Sequence, residues 1–325
     1  MSQPDAPAAA PPGPDAKARA RLTRSAAFAS IAVALLLAGL KTWAVWRTSS
    51  TAMLGSLADT ALDLVASVAT LVGVWIAARP ADEEHRFGHG KAEALAAIFQ
   101  VLLIAVSAFG IAARAAGQLA RGQETAAATD GIVVSALAIV ATFALIGWQR
   151  HVIRQTGSVA IATDNVHYQS DLLLNLAVIA ALALDQYLGF GMADPLFGLA
   201  IAGWLLFGAW RASSEAVNHL MDREWPEEER RRFVELASRH PELSNLHDLR
   251  TRTSGDRDFV QFHVDLPAAM TVAEAHDIIE RVEADLLRHF PRMELLIHID
   301  PEGHIDMPDN PLVENDEFAR LEPRR

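Results

Sequence analysis

The chain has 325 residues, 51% of them hydrophobic, with a mean hydropathy of +0.17 and a formal charge of −12. It is too apolar for an ordinary soluble enzyme and has no basic surplus to attract nucleic acid. Cysteine is absent, which excludes disulfides and thiolate metal sites and leaves carboxylates and the twelve histidines as the only metal donors. Residues 221–325 hold 25 acidic against 14 basic side chains, nearly all of the net charge, so a membrane part followed by an acidic soluble part is expected.

Residues 1–21 form a Pro/Ala-rich tail without periodicity, expected to be disordered. Lys17, Arg19, Arg21 and Arg24 precede a first apolar span from about Ala26 to Trp46. Its length and the spans behind it favour a retained anchor over a cleaved signal peptide. A second span runs to Ala77 and a third covers about Ala94–Ala113, joined by the polar loop ARPADEEHRFGHGKAE. The fourth, fifth and sixth lie near Ile132–Trp148, Ser158–Leu184 and Pro195–Trp210. Basic residues gather at the amino terminus, in the loops after the second and fourth spans, and at the exit of the sixth. By the positive-inside rule this puts both termini in the cytoplasm, and residues 22–220 form a six-helix transmembrane domain.

The fifth span is not uniformly apolar. At about 100° per residue, Asp164, His167, Asp171 and Asn175 share one stripe, while Val166, Leu173, Leu176 and Leu184 take the other side. A carboxylate at mid-bilayer costs at least about 2.5 kcal/mol, so an unpaired one is improbable there. The second span repeats the pattern with Asp59 and Asp63 at i and i+4, extended by Ser56, Thr60 and Ser67. Two such helices facing each other bring Asp59, Asp63, His167 and Asp171 to a common centre. Three clustered carboxylates repel one another unless a divalent cation or protons neutralise them. The competing reading is interhelical hydrogen bonding between protonated acids, which Ser or Thr would supply at lower cost.

From Pro226 the periodicity changes to a helix (Glu227 to Arg239), strands (Leu246 to Thr253, Phe259 to Leu266), an amphipathic helix (Val272 to Phe290) and a strand (Glu294 to Asp300). This αββαβ order predicts a small sheet covered on one face by two helices, gaining stability from a partner copy. Residues 302–325 form a loose acidic tail. On the last strand His298 and Asp300 share a face, and His263 has the polar parity of Gln261 and Asp265, so neither histidine is core filler. His276 lies at the edge of an apolar helical stripe and reads equally as a core residue or a ligand. In the loop, His85 and His89 are separated by three residues, with Asp82 one turn earlier. They form either a metal-holding turn or a solvated, titrating loop. His151, His219, His240, His289 and His304 have no partner at ligand spacing, and Lys41 in the first span has no role that the sequence assigns.

The segments SLADTALDL, HRFGHGKAEALAA, HYQSDLLLN and HDLRTR together resemble the cation diffusion facilitator family of metal-ion/proton antiporters, over about Arg24 to Pro301. The resemblance implies six membrane helices followed by a ferredoxin-like cytoplasmic domain (residues 221–301), assembled as a homodimer in the bacterial inner membrane. It implies a transport site at Asp59, Asp63, His167 and Asp171, the same four residues reached from helical spacing. It also implies a zinc site at Asp82, His85 and His89, a two-metal site from His247, His263, His276, His298 and Asp300, and a charge interlock between Lys91 and Asp222. The expected activity is efflux of a divalent metal against protons across the lipid bilayer. Zn(II) is the leading substrate and structural ion, and Fe(II), Cd(II), Co(II) and Mn(II) are admitted by the same donors. Two rivals are a membrane-bound metal sensor without transport and a membrane metalloprotease. The second is disfavoured because no helical HExxH motif is present.

Overall fold

The computed structural model describes residues 14–48, 51–121, 132–188 and 192–303. Six long helices come first: α1 (Pro14–Thr48), α2 (Thr51–Ala77), α3 (Ala92–Arg121), α4 (Ile132–Thr156), α5 (Val159–Leu188) and α6 (Ala193–Leu220). Among the described residues, four of them (α1, α2, α3 and α6) are long and apolar enough to cross a membrane. The expected tail needs one correction, because α1 begins at Pro14. Residues 14–21 are therefore helical; proline is well placed in a first turn, and Ala, Lys and Arg are strong helix formers. Residues 1–13 and the 304–325 part of the acidic tail, with His304, lie outside the described residues.

The chain divides into two compact units, residues 1–218 and 219–325. In the first unit many of the buried side chains are small. Ala26, Ala27, Ala66, Ala94, Ala97 and Ala108 are buried, whereas Phe28, Leu36, Val106, Phe109, Phe143 and Phe207 are exposed, as a lipid-facing surface requires. Small residues let helices approach closely where lipid supplies no hydrophobic drive between them. Gly73 marks the tightest such approach. A Cβ there would collide with Ala96 Cβ and press on the Ala92 carbonyl oxygen, so α2 and α3 touch almost backbone to backbone. Gly73→Val should force them apart at about 1–3 kcal/mol. The expected result is a thermal midpoint several degrees below wild type in detergent, and an unchanged midpoint would show that the contact is not tight.

The second unit holds α7 (Glu227–Ala237), β1 (Ser244–Ser254), β2 (Arg257–Leu266), α8 (Val272–His289) and β3 (Met293–Pro301), the αββαβ order expected. The sheet order is β1-β2-β3, with β1 and β2 antiparallel and β2 and β3 parallel. Strand alternation sends Phe262 and Val264 into the core against Phe233 of α7 and Val282 and Leu286 of α8. Thr271 and Glu274 form a reciprocal capping box that starts α8. The segment before α7 is fastened to β1, since Trp225 N–H donates to Thr251 Oγ1 (2.9 Å) and Thr251 N–H donates to Glu224 (2.9 Å).

Candidate metal centres

The membrane unit is polar on the inside. In α5, His167 is 7% exposed and its Nε2 lies 2.8 Å from Asp63 Oδ1 of α2 and 3.7 Å from Asp171 Oδ2, one turn further along its own helix. These three offer donor atoms within 4.8 Å of one another. Asp59 lies on α2 one turn before Asp63, and its side chain is outside the described residues. The i,i+4 spacing on each helix does the positioning, because donors one turn apart on two facing helices converge on one point. An imidazole with carboxylates, buried but not sealed, is a donor set for a divalent cation of intermediate softness.

Asp164, placed by helical arithmetic on the same stripe, is turned into a separate network. Its carboxylate is fully buried and accepts from Ser30 Oγ of α1 (2.6 Å), Gln100 Nε2 of α3 (2.7 Å) and Gln149 Nε2 of α4 (2.7 Å). Asn165 donates to Gln149 Oε1 (2.9 Å), and the Tyr168 hydroxyl donates to the Ser30 carbonyl (3.1 Å) while lying 3.0 Å from Ser67 Oγ. The knot ties α5 to four other helices one turn before His167. Sequence reasoning missed Ser30, Gln100 and Gln149, since each is a single polar residue in a different span.

In the loop, Asp82 Oδ1 accepts from the main-chain N–H groups of Glu84 (3.1 Å) and His85 (2.7 Å). His85 Nδ1 lies 3.1 Å from the same oxygen, and His89 Nε2 lies 3.3 Å from Oδ2. The His85 N–H, and then the two imidazoles, hold the Asp82 carboxyl below the usual carboxylate range against slight desolvation. It is therefore anionic wherever the histidines could bind metal. His89 Nδ1 meets the Pro80 carbonyl at 3.2 Å; a carbonyl can only accept, so Nδ1 donates in that bond and Nε2 is the ring atom that faces Asp82.

In the second unit the sheet register creates the site. His247 is opposite His263 across β1 and β2, and His263 is opposite His298 across β2 and β3, giving three imidazoles in one row. His247, His263 and Asp300 bring donor atoms together. His263 Nδ1 is 3.0 Å from Asp300 Oδ2, His247 Nε2 is 3.7 Å from that oxygen, and His298 Nε2 is 3.4 Å from Oδ1. His247 Nδ1 donates to the Asn245 carbonyl (2.7 Å), which leaves Nε2 as the donor atom for a metal. Asp248, which strand parity did not select, lies 3.5 Å from His263 Nε2. A bulge in β1, with Asn245 and Asp248 at positive φ (47° and 49°), swings it to the histidine face. Two imidazoles and a carboxylate, with the His247 tautomer already fixed, suit Zn(II). His276 is not in the row; it is exposed on α8 and pairs with Glu280 (3.3 Å). Asp222, half of the expected interlock, accepts from Arg252 Nη1 at 3.4 Å, and Lys91 sits just before α3 in the other unit.

Comparison with known proteins follows this division. The family model described as the cation efflux transmembrane domain matches residues 27–221, and that described as the cytoplasmic domain of cation efflux proteins matches residues 225–302. The chain is 42% identical over 283 residues to the cation-efflux pump FieF of Klebsiella pneumoniae, covering 87% of this chain and 94% of that protein. It is also 42% identical over 281 residues to the pump of the same name from Cronobacter sakazakii, covering 86% and 93%. Among solved structures, the metal-bound C-terminal domain of the CzcD transporter from Thermotoga maritima aligns with a TM-score of 0.24 at 22% identity. That alignment covers 25% of this chain and 99% of the other.

Proposed function

The chain belongs to the cation diffusion facilitator family of cation-efflux transporters, which are transporters rather than enzymes, and on that premise we propose that it exports a divalent transition metal, Zn(II) foremost, in exchange for protons. The observation that carries this reading is the trio of buried His167 and half-buried Asp63 and Asp171, whose carboxylates lie 2.8 Å and 3.7 Å from His167 Nε2 inside the helical unit. With Asp59 as fourth donor, one imidazole and three carboxylates take a partly dehydrated ion from one side. Rocking of the helices then exposes it to the other. The same donors admit Fe(II), Cd(II), Co(II) and Mn(II), since oxygen ligands discriminate weakly.

The coupling follows from the donors. Metal binds when His167 is neutral and the carboxylates are ionised, so protons and metal compete for the same atoms. A more acidic outside releases the ion outward and returns protons inward. Six spans with both termini cytoplasmic, in the inner membrane, and a homodimer joined through the second unit complete the assignment. The row of histidines on the sheet holds structural or regulatory zinc, and the Asp82, His85 and His89 loop holds another ion.

The test is zinc uptake into sealed proteoliposomes with an imposed pH gradient and a trapped pH dye. Uptake should accelerate with the gradient and move protons the opposite way. Flux indifferent to the gradient would make the protein a passive carrier, and binding without any flux would make it a sensor.

A further inference from the structure

Lys41 lies within an apolar span and is the one charged side chain between Arg24 and Trp46. Its place near the end of the span suggests an ammonium that snorkels outward to the lipid headgroups. The structure turns it the other way. Lys41 Nζ donates to Thr60 Oγ1 at 2.5 Å, and Thr60, on α2, is 1% exposed. Thr60 is next to Asp59 in sequence and three residues before Asp63, hence on the same side of α2 as the carboxylate that meets His167. A positive charge directed into a low-dielectric interior is costly unless negative charge is close, and the acidic cluster is the negative charge that α2 offers there.

Resting on the transport-site reading above, we propose that Lys41 is the resident counter-charge of that site: a tethered cation that shares the carboxylates when the metal has left. The empty site is the difficult state of the cycle, because carboxylates stripped of their ion repel one another inside a bilayer. Protons can neutralise them, and a fixed ammonium on the neighbouring helix relieves part of the same repulsion without being carried across. It also repels the incoming dication, so it weakens metal binding and eases release. The pairing spans α1 and α2, and the charge therefore acts from outside the two helices that supply the donors.

The experiment measures zinc affinity of the full chain in detergent by competition with a fluorescent chelator. All variants carry His85→Ala, His89→Ala, His247→Ala and His263→Ala, so that only the membrane site binds. Lys41→Gln, which keeps hydrogen bonding to Thr60 but removes the charge, should tighten zinc binding about tenfold, the effect of one nearby charge in a partly screened interior. Lys41→Arg should stay within about twofold of the parent, because the charge is kept. Lys41→Gln with unchanged or weakened affinity, in protein that elutes as a single folded species, overturns the inference. Asp63→Ala in the same background separates the two readings. If it abolishes binding while Lys41→Gln changes nothing, only the counter-charge fails; if zinc still binds without Asp63, the transport site and the counter-charge both fall.

Discussion

Asp63→Ala should reduce zinc flux in proteoliposomes by more than about a hundredfold, while the protein still elutes as a folded species. Losing a group that merely supports a ligand costs about 10–100-fold in affinity, and Asp63 is proposed as a donor itself. Its carboxylate meets His167 Nε2 at 2.8 Å and is partly exposed, so alanine leaves no cavity in a packed core. The fold should not suffer, because the knot at Asp164 that ties five helices together does not include Asp63. Near wild-type flux would end the site assignment. His167→Asp is the informative companion, since an all-carboxylate site should shift preference from Zn(II) towards the harder Mn(II). An unchanged ratio of zinc to manganese transport would mean that the imidazole does not set selectivity.

Zinc should raise the thermal midpoint of the second unit, expressed as residues 221–303, by about 10 °C or more at a hundredfold excess over its dissociation constant. At that ratio, binding to the folded state alone contributes about 2.7 kcal/mol, and a domain of this size gains about 4–8 °C per kcal/mol. The fragment has its own core around Phe233, Phe262 and Leu286. His263→Ala should erase the response, because His263 sits in the middle of the row, between Asp300 and Asp248. His276→Ala should cost less, since within one chain His276 faces Glu280. The functional reading of these histidines is wrong if the unmutated fragment shows no zinc response. A loss at His276 equal to that at His263 would instead mean that a second copy brings His276 to the site.

The meeting of Asp63, His167 and Asp171 was legible in the sequence because helical spacing is local. Once α2 and α5 are helices, Asp59 and Asp63, like His167 and Asp171, must lie one turn apart whatever the helices pack against. The αββαβ order was legible for a similar reason, from the change between periods of 3.6 and 2. Asp164 shows where such arithmetic ends. It is about 60° around the helix from His167, close enough to be counted on one stripe and far enough to reach α1, α3 and α4 instead. Asp248 was hidden by strand parity, which a bulge at positive φ breaks. His276 was ambiguous from the start, because an edge position on an amphipathic helix carries no signal of its partner.

Two of the histidines, His89 in the loop and His247 on the sheet, are oriented by peptide carbonyls, those of Pro80 and Asn245. A carbonyl on the main chain is present whatever side chain its residue bears. No amino-acid exchange at position 80 or 245 deletes the acceptor, so these ring orientations are buffered against point mutation, unlike one that depends on a neighbouring carboxylate. They yield only to a change in the path of the chain, at the turn before His85 or at the bulge in β1. For an engineer seeking to retune either centre, insertions and deletions in those two short segments are therefore the effective handles.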